Sequence, residues 1–196
     1  MKFLKKLYDW VLGWANTPYG GPALFFLAFS ESSFFPIPPD VLLIPLGLSR
    51  PRKAFYYAAL SSVGSVLGGI FGYLIGLFLM DSVGMPILRA YGLMEKYNYV
   101  SALYNQYNAL AVGIAGFTPL PYKLFTIAAG ACKINFPVFL MASAVSRSAR
   151  FFLVSTLVYF FGERARAFID KYFNWLAIAF ALLLIGGFIA VKIALK

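Results

Sequence analysis

The chain has 196 residues, of which 61% are hydrophobic and only 12% are charged. Soluble domains average about 25% charged residues, so this composition excludes an ordinary soluble protein and predicts one membrane domain spanning residues 1–196. The formal net charge of +10 suits anionic lipid headgroups, whereas nucleic acid is a poor partner for a chain this apolar.

The first 15 residues carry a pattern typical of a helix lying in the membrane interface. One helical face is apolar and the remainder is mostly basic. The apolar residues are Phe3, Leu7, Trp10, Val11 and Trp14. No long apolar core or small-residue cleavage site follows, which argues against a signal peptide. An amphipathic helix packed on the domain makes almost the same prediction.

Residues 22–49 are mostly apolar, yet they contain five prolines and two acidic residues. Pro36, Pro38 and Pro39 remove backbone donors and force a turn, which leaves two flanking pieces too short to cross a core of about 30 Å. The segment therefore predicts a re-entrant helical hairpin. Its irregular turn must be buried in protein or line a water-filled cavity.

Three segments read as membrane-spanning helices: 54–80, 137–162 and 172–191. The first carries a glycine at every fourth position, which predicts a groove for close helix packing. These glycines are Gly64, Gly68, Gly72 and Gly76. Residues 81–108 are mixed and rich in tyrosine, so we expect a segment that lies on the surface.

A second proline-rich segment, 109–135, repeats the design of the first hairpin 83 residues later. At this offset Pro36 matches Pro119, Pro38 matches Pro121, Asp40 matches Lys123 and Gly47 matches Gly130. The turn residues assigned to the two hairpins are Pro36, Pro38, Pro39, Pro119, Pro121, Tyr122 and Gly130. Internal symmetry with broken helices is typical of transporters whose binding site lies at the repeat interface.

Basic residues form three clusters that should face the cytoplasm by the positive-inside tendency. They are Lys2, Lys5 and Lys6, then Arg50, Arg52 and Lys53, then Arg164, Arg166 and Lys171. This orientation predicts a multi-pass protein with a cytoplasmic N-terminus. The two hairpins then enter from opposite sides, so the expected fold class is an all-α integral membrane protein with an inverted repeat.

Five charged residues are predicted at membrane depth: Glu31, Asp40, Lys123, Arg147 and Arg150. Each costs about 2.5–3.5 kcal/mol at the bilayer centre unless it is paired or hydrated. The planar guanidinium group of arginine and the N-termini of helices both bind phosphate well, so a phosphate group is the expected ligand. Because burial disfavours a charged carboxyl group, Glu31 or Asp40 could bind and release a proton. Alternatively, the two acids simply neutralise the arginines and hold the hairpins.

At these residues the sequence resembles the DedA membrane-protein family, also called the SNARE-associated or VTT-domain family, and most closely its YqaA-like branch. The resemblance rests on the segments 31–40 and 116–123, on Gly130, and on Arg147 with Arg150. It implies opposed re-entrant hairpins, a bacterial inner-membrane location, and envelope maintenance tied to the proton motive force. Some members are implicated in moving polyprenyl phosphate, and eukaryotic relatives scramble phospholipids.

The second hairpin departs from the arginine pair of many family members, whose pattern is Arg-Phe-x-Pro-x-x-Arg. Here Gly116 precedes Phe117, and Lys123 stands one place later than the second arginine would. Lysine lacks the planar fork of arginine, so the substrate or its affinity can differ.

Three function classes remain open. The first is a flippase or scramblase of phosphate-bearing lipid, coupled to protons through Glu31 or Asp40. The second is a proton or cation antiporter, and the third is an assembly protein whose glycine face docks a partner and would permit a homo-oligomer. An enzyme is not expected, because the chain has no histidine and a single cysteine, Cys132. We expect neither a metal nor another cofactor.

Overall fold

The structure is a computed structural model that describes residues 17, 19–118 and 120–162. Within these residues the secondary structure is helical and contains no strand, which confirms the all-α prediction. The helices are α1 (Gly20–Ser33), α2 (Asp40–Ser49), α3 (Ala54–Leu79), α4 (Met85–Ala90), α5 (Met94–Gln106), α6 (Asn108–Phe117), α7 (Tyr122–Ala131) and α8 (Phe136–Gly162). The predicted segments at 1–15 and 172–191, and Pro119, lie outside the described residues.

Two pairs of short helices are each interrupted at the predicted prolines. In the first pair, residues 34–39 separate α1 from α2, and Pro39 precedes the first residue of α2, where a missing N–H costs little. In the second pair, residues 118–121 separate α6 from α7. The four helices have 10–14 residues, or about 15–21 Å at 1.5 Å per residue.

Two helical stretches of the described chain are long and apolar enough to cross a membrane: Pro51–Ala90, which contains α3, and Phe136–Gly162. The first continues beyond α3 through the π-helical turn Met80–Gly84 into α4. The first residues of α3 and α8 are 82 positions apart, which is within one residue of the offset of 83 that matches the prolines.

The glycine groove of α3 receives one helix from each pair. A methyl group at Gly64 or Gly68 would overlap backbone atoms of α1, and one at Gly72 or Gly76 would overlap atoms of α7. The predicted close packing is therefore confirmed. In lipid no hydrophobic effect drives helices together, so the van der Waals contacts made by such closely packed backbones stabilise the helix pair instead.

One helix of each pair packs along α3, and the two occupy successive parts of its length. Helix α1 starts beside Leu60 and ends where Ser32 bonds Ser65, whereas α7 starts beside Gly69 and ends beside Leu77. The end of α1 consequently meets the first turn of α7, and Thr126 Oγ1 donates a hydrogen bond to the Ser32 carbonyl at 3.1 Å. Both breaks therefore lie near the middle of α3.

Helix α8 runs antiparallel to α3 and closes the other side of the breaks. Phe139, near the start of α8, packs against Tyr73 with ring centroids 5.1 Å apart. Phe152, further along α8, stacks on Phe55 near the start of α3. The middle of α8, which carries both arginines, is thereby held at the level of the breaks.

Apolar clusters pack on either side of this level. One includes Leu24, Leu43, Tyr57 and Phe151, and the other includes Tyr73, Val112, Tyr122, Ile134 and Phe139. Buried polar groups lie between them, because Ser61, Ser62 and Ser65 stand on α3 between Tyr57 and Tyr73.

The tyrosine-rich segment forms α4 and α5, and α5 binds the end of the second helix pair. Tyr104 and Tyr97 each donate a hydrogen bond at 2.8 Å, to the carbonyls of Phe125 and Ala131, and Asn105 donates to the Cys132 carbonyl at 3.2 Å. The bonds to Ala131 and Cys132 satisfy carbonyls at the C-terminal end of α7, whereas the bond to Phe125 holds its first turn. Both phenols are neutral donors at neutral pH, as an ordinary tyrosine is, and burial raises the pKa of each further.

Candidate binding site at the two helix breaks

Arg147 lies at the centre of the structure and pairs with Glu31. Its Nη2 donates to Glu31 Oε2 at 2.8 Å, and its Nε donates to Ser65 Oγ at 2.5 Å. The guanidinium also stacks between the rings of Tyr122 and Phe151, at 4.7 and 4.8 Å from their centroids. The side chain of Arg147 is 1% exposed and that of Glu31 is 12% exposed, so in this sealed pair the arginine is enclosed and only the carboxylate keeps a little exposure.

Serine and tyrosine hydroxyls surround the sealed pair. Ser32 Oγ lies 2.6 Å from Ser65 Oγ and donates to Glu31 Oε2 at 3.3 Å. Tyr122 donates to Ser143 Oγ at 2.6 Å. The network joins α1, α3, α7 and α8, and it compensates the desolvation of the two charges.

Arg150 forms a second ion pair, one helical turn along α8. Its Nη2 binds Asp40 Oδ2, and its Nη1 donates to the Thr118 carbonyl at 3.1 Å. The side chains of Arg150 and Asp40 are 18% and 19% exposed, so this pair is reached from the surface. The other carboxylate oxygen, Asp40 Oδ1, is buried and has no hydrogen-bond partner among the described residues.

Lys123 occupies the first turn of α7 and contacts the first break. Its Nζ donates to the Phe35 carbonyl at 3.0 Å. Among the described residues no carboxylate forms an ion pair with it. Three cations and two carboxylates therefore surround the breaks, leaving an excess of one positive charge.

The structure thus brings four of the five predicted charges together as two ion pairs, and it places Lys123 beside the same break. Arg147 connects α8 to α1 and α3, whereas Arg150 connects α8 to α2 and to the second break. Through these two residues a single helix turn ties both helix pairs to each other.

The predicted turn residues have different surroundings. Pro36 is exposed, Pro38 and Pro121 are half-buried, and Pro39 and Tyr122 are buried. Gly130 is required by packing, because a methyl group there would overlap the Tyr73 carbonyl oxygen.

Several groups of the site were not singled out from the sequence. Ser65 could have been noticed, since three serines interrupt the apolar span at 54–80. Gly116, which the sequence marks only as a departure from the family pattern, lies against the same site, because a methyl group there would overlap the Ser146 hydroxyl and would lie 3.5 Å from Arg147 Cδ. Backbone acceptors, such as the carbonyls of Phe35 and Thr118, have no signature in the sequence.

The chain matches a protein-family model and several uncharacterized relatives. The VTT-domain family model matches residues 37–160. The chain is 39% identical over 171 residues to an uncharacterized protein of Haemophilus influenzae, covering 87% of this chain and 88% of that protein. It is 33% identical over 167 residues to one from Histophilus somni, covering 85% and 87% of the two chains.

A more distant relative is an uncharacterized membrane protein of Mycobacterium bovis, 27% identical over 162 residues, with 78% of this chain and 73% of the relative covered. No solved structure matches. The family model and the Haemophilus relative together show that this chain belongs to the VTT-domain (DedA) family of membrane proteins.

Proposed function

We propose that this protein moves a phosphate-bearing lipid, either a polyprenyl phosphate or a phospholipid, across the bacterial inner membrane and so supports the cell envelope. The observation that carries the proposal is the pair of arginine–carboxylate contacts at the point where the two helix breaks meet. Ionised groups at such a depth are expensive, and they commonly mark a transport pathway.

The contacts with α3 support two re-entrant hairpins that enter from opposite sides of the membrane. Helix α1 lies along the N-terminal and central part of α3, and α7 lies along its C-terminal half. Arg52 and Lys53, exposed at the start of α3, favour a cytoplasmic position for that end. The breaks then lie at mid-membrane, shielded by α3 and α8 as irregular backbone requires.

Proton coupling follows from competition for an arginine. While Asp40 is ionised it occupies Arg150, and a phosphate oxyanion would compete for the same donors. Protonation of Asp40 removes that competitor, so a proton and a phosphate group enter the site together. The buried Oδ1 atom, which has no partner among the described residues, can carry the proton.

A proton or cation antiporter is a second candidate, favoured by the same Asp40 atom. It requires only the carboxyl groups and makes no use of Lys123 or Arg150 as phosphate ligands. The two proposals differ in whether proton movement depends on a phosphate-bearing lipid.

The test is lipid translocation by purified protein in phosphatidylcholine liposomes, with a fluorescent prenyl phosphate or phosphatidic acid as probe. We expect wild type to move the probe, and to do so faster when a proton gradient is imposed. Asp40→Asn should abolish the response to the gradient, whereas Asp81→Asn should not, because Asp81 is 59% exposed and pairs with Lys133 at the surface. Folded wild-type protein that moves no lipid would overturn the proposal.

A further inference from the structure

The two ion pairs differ in how they are enclosed. Arg147 is 1% exposed, it is stacked between two rings, and it binds both Glu31 and Ser65. Arg150 is 18% exposed and is bound by one carboxylate and one backbone carbonyl. A ligand arriving from the surface can reach Arg150 without displacing the aromatic rings that cover Arg147.

Lys123 adds a second reachable cation beside the same break. It contacts Phe35 near the start of the break, whereas Arg150 contacts Asp40 immediately after the break ends. Lys123 and Arg150 thus contact opposite ends of one break, and together with Asp40 they leave a local excess of one positive charge. By contrast, Glu31 balances Arg147 completely.

On the basis of the proposed transport function, we infer that the phosphate group binds at Lys123 and Arg150, while Arg147 with Glu31 is a structural pair that fixes the geometry of the breaks. The excess charge selects an anionic headgroup over a zwitterionic one. A phosphate group placed here would compete with Asp40 for Arg150 and with the Phe35 carbonyl for Lys123.

The surroundings of this subsite favour a lipid over free phosphate. Large apolar side chains of both breaks and their flanking turns, the segments that also carry or contact the two cations, are exposed. They are Phe34 at 61%, Phe35 at 37%, Ile37 at 38%, Phe117 at 49% and Leu124 at 50%. A lipid can bind the cations through its headgroup and pack its chains against these apolar side chains. Inorganic phosphate has no chain, so these side chains add nothing to its binding free energy.

Equilibrium binding tests the subsite. Purified protein in non-ionic detergent is titrated calorimetrically with short-chain phosphatidic acid, with short-chain phosphatidylcholine and with inorganic phosphate. The variants are Lys123→Gln, Lys123→Arg, and Lys133→Gln as the matched control, since Lys133 pairs with Asp81 at the surface. A charged hydrogen bond contributes enough for its loss to weaken binding roughly 10-fold or more.

We expect phosphatidic acid to bind tightest, to bind at least about 10-fold more weakly to Lys123→Gln, and to be unaffected by Lys133→Gln. Lys123→Arg should retain binding. Equal binding by wild type and Lys123→Gln would overturn the subsite while leaving transport intact, and equal binding of inorganic phosphate would overturn the choice of a lipid. Wild type that neither binds nor moves any lipid phosphate would overturn the transport function itself.

Discussion

Replacing Glu31 with glutamine removes the carboxylate that balances the most deeply buried charge of the site. Arg147, at 1% exposure, would keep its charge, its bond to Ser65 and its stacking, but among the described residues no other carboxylate would form an ion pair with it. Leaving one partner of a buried pair typically costs about 3–5 kcal/mol. Because Glu31 is 12% exposed and glutamine still accepts a hydrogen bond, we expect Glu31→Gln to lower the free energy of unfolding by about 2–3 kcal/mol.

A double-mutant cycle measures the interaction between Glu31 and Arg147 apart from the contacts that each makes with other residues. Glu31→Gln with Arg147→Met leaves no buried charge unbalanced, so the double variant should be more stable than the sum of the single losses predicts, by about 2 kcal/mol. Asp40→Asn is the comparison, and it should cost only about 1 kcal/mol because that pair is more exposed.

Cys132 provides the assay. It is the only cysteine in the sequence and is 8% exposed, so a thiol-reactive fluorophore should report its exposure as the protein unfolds on heating. A loss of 2 kcal/mol should lower Tm by roughly 4–8 °C for a chain of this size. Single substitutions whose effects simply add would refute the assignment of Glu31 and Arg147 as a coupled structural pair.

Two further predictions concern packing and pH. Gly68→Ala should destabilise by about 1–3 kcal/mol, since the added methyl group overlaps the Phe29 carbonyl, whereas Gly113→Ala, with open space around it, should be neutral or stabilising by up to about 1 kcal/mol. Equal melting temperatures for the two variants would contradict the packing of α1 on α3. Tyr104→Phe should cost about 1 kcal/mol at pH 7 through the lost bond to the Phe125 carbonyl. Burial raises the pKa of the Tyr104 phenol in the folded protein, so above about pH 10 the phenol ionises in the unfolded chain first. The free energy of unfolding of wild type should therefore fall relative to that of Tyr104→Phe as the pH rises above about 10. If the free energies of unfolding of wild type and Tyr104→Phe change with pH in parallel, the phenol is not buried as described.

The elements of this fold were largely readable from the sequence, because prolines, glycines and uncharged runs act through local backbone chemistry. Pro36, Pro38 and Pro39 fall between α1 and α2, and Ala54 begins α3 as its uncharged run predicts. The glycine groove could also be read, but not the fact that α1 and α7 share it, since that depends on how distant segments pack.

The residues of the site were predicted as a set, and their partners were not. The cost of charge in a membrane singles out Glu31, Asp40, Arg147 and Arg150 without any structure. Which acid pairs with which arginine depends on the parallel packing of α1 on α3 and on the antiparallel course of α8. The distinction between a sealed and a reachable pair likewise comes from burial, which neighbouring segments decide.

The most direct test of the central claim is to record lipid translocation and lumenal pH together in the same phosphatidylcholine liposomes, with and without a prenyl phosphate probe. The competition proposed at Asp40 predicts that protons move only when the probe is present. In Asp40→Asn, proton movement should disappear and lipid movement should no longer respond to a proton gradient. Proton movement without any phosphate probe, or folded protein that moves neither, would contradict a proton-coupled transporter of lipid phosphate.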